Sequence, residues 1–199
     1  MTSISEVLDD GARVGLGMIG RDGMTNSSLL LGCERAPYEA VVEIGGGTSL
    51  RLEADQLRAF CAKSAPGNAL FLRFVHTLGV QMGTTAASNL RDASAMRLAR
   101  WLLMCHDRID GDDLCLHHAH IARLLGVRRA TVTDMLHVLE GAGAIKNTRG
   151  HIVVRDRAIM KLLAGESYGY AEQQYHILVG PSGDRSPGRS PRPELIAAE

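Results

Sequence analysis

Residues 119–154, AHIARLLGVRRATVTDMLHVLEGAGAIKNTRGHIVV, constrain the fold more than any other stretch of this chain. Ile121, Leu124 and Leu125 recur at helical spacing, Gly126 interrupts the run, and Val132, Met135, Leu136 and Leu139 put a second apolar stripe on one helix face. The pattern predicts two short helices that meet across a glycine turn. Glu140, Gly141, Ala142 and Gly143 supply the stop signals of the second helix. A short strand then begins over residues 144–146, a polar turn covers 147–150, and His151, Ile152, Val153 and Val154 form a β-branched return strand. Helix, turn, helix and hairpin in this order read as a winged helix-turn-helix.

The chemistry of that motif sits at the start of its second helix. Arg128, Arg129, Ala130 and Thr131 present two guanidinium groups and a hydroxyl where such a helix meets a major groove, and Thr133 follows them. Arg149, at the hairpin tip, is placed for the phosphate backbone, where contacts fix register without reading bases. An ordinary helical hairpin with solvated arginines is the alternative, since helix pairs of this kind also occur without nucleic acid. The formal net charge of the 199 residues is zero, which is unpromising for a DNA binder that works by displacing counterions. Distribution answers this, because Arg91 to Lys161 hold twelve Lys and Arg against eight acids, a local surplus of four positive charges.

The order ARWLLMCHDRI, LCLHH, HIARLLGVRRATVTDMLHVLEGAGAI and RGHIVVRDRA resembles the DNA-binding domain of the Crp/Fnr transcription regulators, over roughly residues 90–175. Its most specific piece is GVRRATVTDML, where the family places an arginine followed by a Thr-Val pair, here Arg129, Thr131 and Val132. The resemblance implies that Arg129 makes a bidentate contact to guanine O6 and N7 through two of its guanidinium nitrogens. Position 130 departs from the pattern. Cyclic-AMP receptor proteins carry a glutamate there that helps read cytosine, whereas Ala130 offers only an apolar contact, suited to a thymine methyl, so the operator does not transfer.

Upstream, Leu70, Phe71, Phe74, Leu78, Met82 and Leu90 are compatible with a long amphipathic helix over 69–91. The resemblance makes this the dimerisation helix, with Gly79, Gly83 and Thr84 letting two copies approach closely. Periodicity alone serves a core-facing helix of a monomer equally well. Residues 13–52 are strand-like and glycine-punctuated, with alternation in 40–44 and 49–52, and a helix with Glu53 and Asp55 near its start follows. These pieces resemble the later part of the family's β-roll sensor, but only some four or five strands are found before Leu52, short of a full roll. The expected fold class is therefore α+β: a partial β-roll of cyclic-nucleotide-binding type (1–68), the long dimerisation helix (69–91), a C-terminal winged helix-turn-helix (92–178) and a disordered Pro-, Ser-, Gly- and Arg-rich tail (179–199).

In nucleotide-binding members a glutamate holds the ribose and an Arg-Ala or Arg-Ser pair holds the cyclic phosphate. Here Thr25 or Asn26 stands near the glutamate position, and Arg35 and Ala36 look like the pair but run into Pro37 and Tyr38. Arg35 and Ala36 are thus candidate ligand contacts, with Arg35 as a solvated turn residue the reading that the missing acid favours. Gly45, Gly46 and Gly47 lack the strand-turn-helix setting of a phosphate cradle and read as a turn. The cysteines at 33, 61, 105 and 115 make no C-x-x-C pair, so no zinc-finger or iron-sulfur spacing is present. Cys115, His117, His118 and His120 crowd together as conceivable metal ligands, but a polar link into the first helix is the simpler account, and no metal or cofactor is expected.

No apolar run is long enough to span a bilayer, and isolated thiols without a signal peptide fit a reducing cytoplasm. No Ser-His-Asp set, paired carboxylates or P-loop point to an enzyme. The expected function is that of a sequence-specific DNA-binding regulator, a homodimer on a two-fold symmetric operator in double-stranded DNA. The resemblance also admits RNA polymerase as a partner and an effector of unknown chemistry. The competing class is a dimerising interaction module with a degenerate sensor half and weak, non-specific DNA binding.

Overall fold

The computed structural model describes residues 1–45 and 48–180. The chain begins with a three-stranded antiparallel sheet, β1 (Thr2–Val7), β2 (Arg13–Ile19) and β3 (Glu39–Val42), with β1 in the middle. A short 3-10 turn at Ser27–Leu31 lies between β2 and β3. Helices α1 (Ala54–Lys63) and α2 (Ala65–Arg91) follow, then α3 (Ser94–His106), a two-residue strand β4 (Asp113–Leu114), α4 (His118–Leu125) and α5 (Arg129–Gly141). The wing strands β5 (Ile145–Thr148) and β6 (His151–Val154) precede α6 (Arg157–Ala164) and α7 (Tyr170–Leu178). The class is the expected α+β.

The N-terminal sheet differs in detail from the expected four or five strands. Residues 49–52 alternate like a strand but pair with nothing described, and Leu50 is fully exposed, so alternation there had no neighbouring edge to satisfy it. The middle strand β1 lies where the sequence, TSISEV, offers little apolar signal. Its Ser3, Ile4 and Ser5 are all buried, and a register shift between Ile4 and Ser5 bulges the pairing with β2. The tandem Gly46 and Gly47 and residues 181–199, read as a turn and a tail, lie outside the described residues.

The glycines of β2 explain how the sheet docks. A Cβ on Gly15 would stand 2.9 Å from the carbonyl oxygen of Leu124 in α4, and one on Gly17 would stand 2.8 Å from Oε1 of Gln81 in α2. Small residues at both positions let the strand lie directly on the two helices. The neighbouring Met18 N–H donates to that same Gln81 oxygen at 2.6 Å, so a buried amide in α2 completes a backbone group of the sheet.

Ser64 starts α2 by accepting a bond from Gly67 N–H at 3.2 Å, with Pro66 in the first turn, where its missing N–H costs nothing. Over 27 residues the helix runs about 40 Å. Its buried positions are Phe74, Thr77, Gln81, Thr84 and Ser88, a mostly polar face turned toward its own protomer. Phe74 joins Ile4 and Ile19 in a small cluster under the sheet, and Thr84 gives its hydroxyl to the Val80 carbonyl at 2.9 Å. Those two residues are therefore inward-facing, while Leu72, Gly79, Gly83 and Leu90 point outward, Leu90 with 91% of its surface exposed.

The main core belongs to the C-terminal half. Leu98, Ala99, Leu102, Leu103 and Cys105 of α3 are wholly buried, and Ile121, Val132, Leu136, Leu139, Ile152 and Met160 pack around them. Burial pushes the Cys105 thiol far up, which leaves it inert. Polar clamps hold the ends of this core. The Arg157 guanidinium donates to Asp107 and, at 2.6 Å, to the Tyr168 hydroxyl, which donates in turn to Asp107 at 2.8 Å. Asp156 caps α6 by accepting from Ile159 N–H at 2.9 Å.

Candidate nucleic-acid interface

The two helices of the motif form as their apolar spacing dictates. Ile121, Ala122, Leu124 and Leu125 bury one side of α4, and Val132, Met135, Leu136 and Leu139 bury one side of α5. Gly126 turns the chain between them at φ +64°, and the Val127 N–H closes back on the Ala122 carbonyl at 3.0 Å. Arg97 of α3 adds a bond to the Leu125 carbonyl at 2.6 Å, while its Nε donates to Asn89 of α2 at 3.0 Å. One arginine thus ties the end of the long helix to the end of α4.

With the α5 stripe committed to the core, the opposite face is solvent. Arg128, the residue before the helix, and Arg129 and Ala130 within it are exposed, whereas Thr131 is half-buried. No side chain caps this helix start and no acid lies in its first turn, so free N–H groups and two arginines share one electropositive end. Thr133 sits on the shoulder facing α4: its Oγ1 lies 3.1 Å from His118 Nδ1 and 3.4 Å from the Arg129 carbonyl. Asp134 and His137 continue the exposed face. Neither was singled out by the sequence, although helical spacing from Ala130 was the available signal.

The wing is a three-stranded sheet, β4-β6-β5, because β4 adds an outer strand to the expected hairpin. Thr148 pairs with His151, leaving Arg149 and Gly150 as the turn, narrower than the expected 147–150, with Gly150 at φ +80°. Arg149 is exposed at that tip. Glu140 near the end of α5 accepts the Asn147 N–H at 2.9 Å, so the recognition-type helix and the wing are joined by a direct bond.

The sensor-side candidates are not brought together. Arg35 and Ala36 lie on an exposed turn, where the Arg35 carbonyl accepts from Ser28 Oγ at 3.3 Å. A recess of about 170 Å³ in the same half is lined by Leu29, Leu30, Leu57, Arg58, Cys61 and Asn68. Neither Arg35 nor Ala36 lines it. The four crowded residues of the 115–120 stretch also part company. His118 turns to Thr133, Cys115 to His151, and His117 stands against Gly150. His120 Nδ1 accepts from Arg123 at 3.0 Å and its Nε2 lies 2.8 Å from Glu43, which closes the N-terminal sheet onto α4. Burial there holds the His120 imidazole below its ordinary value, against the pull of Glu43.

The architecture is thus a winged helix-turn-helix behind a long helix and a small docked sheet. Residues 96–163 match the family model of the Crp-like helix-turn-helix domain. A CRP-family transcriptional regulator from Thermus thermophilus superposes with a TM-score of 0.60 at 18% identity, over 83% of this chain and 84% of that one. A CRP/FNR-family regulator from the same organism gives 0.58 at 17% identity, over 82% of both chains. FixK2 from Bradyrhizobium japonicum gives 0.54 at 16% identity, over 82% of this chain and 83% of its own. The chain therefore has the Crp/Fnr fold, as the resemblance implied. No curated protein matches it in sequence. Among the described residues no helix is long and apolar enough to cross a membrane.

Proposed function

We propose that this protein is a sequence-specific transcription regulator of the Crp/Fnr type that binds double-stranded DNA as a homodimer. The observation that carries the reading is the exposed, acid-free, uncapped start of α5, whose other face is locked in the core. In this reading Arg129 contacts guanine and Ala130 a thymine methyl, while Arg128, Thr131 and Arg149 engage phosphates. Thr133 is a positioning residue that holds α5 against His118 of α4.

The outward face of α2 supports the dimer. A Cβ at Gly79 or Gly83 would meet no described atom within 4 Å, and Leu72 and Leu90 stand exposed beside them, so a second α2 fits closely there. Two recognition helices one DNA turn apart then suit a two-fold symmetric operator. Arg35 and Ala36 belong to a solvated turn in this reading, because the nearby recess falls below the roughly 300–1,000 Å³ of small-molecule sites. A cytoplasmic regulator of this kind takes RNA polymerase as a further partner.

Selection of bound sequences from a random duplex pool, followed by titration at two salt concentrations, tests the reading. It expects a palindromic site with half-sites about 10 base pairs apart and a clear preference over random duplex. Arg129→Ala should weaken the selected site by about 1–3 kcal/mol while leaving non-specific binding in place. Salt-sensitive binding without sequence preference would favour the interaction module instead, and an unaltered Arg129→Ala would remove its recognition role.

A further inference from the structure

The outer face of the wing sheet gathers chemistry that the DNA-binding reading does not use. From Asp113 to Leu116 the chain alternates strictly: Leu114 and Leu116 are buried at 0% and 2% exposure, while Asp113 and Cys115 are exposed on the other side. The antiparallel register pairs Asp113 with Val153 and Leu114 with Ile152, and its continuation sets Cys115 opposite His151. An i, i+2 pair on an edge strand and one residue across the ladder therefore share a single face. His151 Nδ1 lies 3.0 Å and 3.2 Å from the two Asp113 oxygens and 3.7 Å from Cys115 Sγ. Ligand atoms of all three residues fall within 4.8 Å of one another.

We infer that Asp113, Cys115 and His151 form a binding site for one divalent transition-metal ion of the zinc class, on the outer face of the wing next to its tip. Zinc–ligand lengths of about 2.3 Å to sulfur and 2.0–2.2 Å to nitrogen and oxygen give tetrahedral edges of about 3.6 Å for S···N and 3.4 Å for N···O. The observed 3.7 Å and 3.0–3.2 Å need only a few tenths of an ångström of adjustment. The donor set selects the metal: a thiolate with an imidazole suits zinc or cobalt and disfavours magnesium and calcium, which want oxygen alone. Binding takes the thiol proton of Cys115 into solvent and leaves His151 neutral, its proton on Nε2, so that Nδ1 is a lone-pair donor. All three side chains are exposed, so the fourth position opens to water. The ion bridges β4 to β6 and staples a two-residue edge strand to the hairpin that carries Arg149.

Titration of the reduced, metal-free full chain with Co²⁺ tests the site. One equivalent should bind, with thiolate-to-cobalt charge-transfer absorption and tetrahedral d–d bands, and Zn²⁺ should displace it. Cys115→Ser and His151→Ala should abolish the bands with circular dichroism unchanged, whereas Cys33→Ser, at another exposed thiol, should keep them. Alkylation gives a readout that does not need a variant: Zn²⁺ should slow iodoacetamide at Cys115 and leave Cys33 unaffected. Bands that survive Cys115→Ser, or equal Cys115 alkylation with and without Zn²⁺, would overturn the assignment.

Discussion

Gly126 offers a perturbation in which conformational strain is separated from packing. The residue ends α4 at φ +64° and ψ +38°, in the left-handed region that the turn into α5 requires. A Cβ built there meets no described atom within 4 Å, so Gly126→Ala creates no clash and fills no cavity. Only the backbone terms remain. Holding an L-residue in this region costs about 1–2 kcal/mol, whereas the smaller entropy of the unfolded alanine chain returns about 0.4–1 kcal/mol. The two oppose each other and leave a net loss of about 1 kcal/mol for alanine. With a urea m-value of about 2 kcal/mol/M the midpoint should fall by about 0.5 M, and Tm by about 2–4 °C. Gly126→Asn should lose less, because asparagine tolerates this conformation, and Gly126→Val should lose more. Urea unfolding of the three variants under one set of conditions measures the order. An alanine variant as stable as the parent, or an asparagine variant no better than alanine, would refute a turn governed by backbone conformation.

Two further outcomes follow from charged and titratable groups. Arg149→Ala, at the wing tip, should weaken binding about equally across duplex sequences and lower the salt slope by about 1, as for a lost phosphate contact; a change in sequence preference would instead put Arg149 among the base-reading groups. His120 faces Glu43, Arg123 and, more distantly, His117, and burial depresses its pKa in the fold. A depressed histidine favours the folded state above its unfolded value near 6.5, and that contribution is lost as pH falls through the folded value. Melting temperatures from pH 7.5 down to 5 should therefore drop less steeply for His120→Gln than for the parent, and parallel slopes would exclude His120 as the group responsible.

The parts of this fold that were legible in the sequence are those whose signals are local. Val132, Met135, Leu136 and Leu139 define one face of α5, so the exposed position of Ala130 opposite them follows from spacing, whereas Arg128 and Arg129, four and three residues before Val132, are exposed because the helix begins with them. Long-range pairing left no such trace. β1 becomes the middle strand only because distant β3 adds to its local pairing with β2, and the alternation of Asp113 to Leu116 becomes a strand only where distant Ile152 and Val153 lie beside it. The long helix shows a different obstacle. Apolar residues occur on more than one side of α2, and the side turned inward is largely Thr77, Gln81, Thr84 and Ser88. Hydrophobicity ranks faces by transfer energy, but this face is chosen by fit: Gln81 supplies an acceptor to Met18 N–H where Gly17 brings the sheet too close to α2 for a larger strand residue. The outer face of α2 combines Gly79, Gly83, Leu72 and Leu90 with exposed His76, a surface on which a second helix can pack closely. The same inversion that hid its orientation in the sequence is what supports the proposed dimer, in which a second copy of α2 would lie against it.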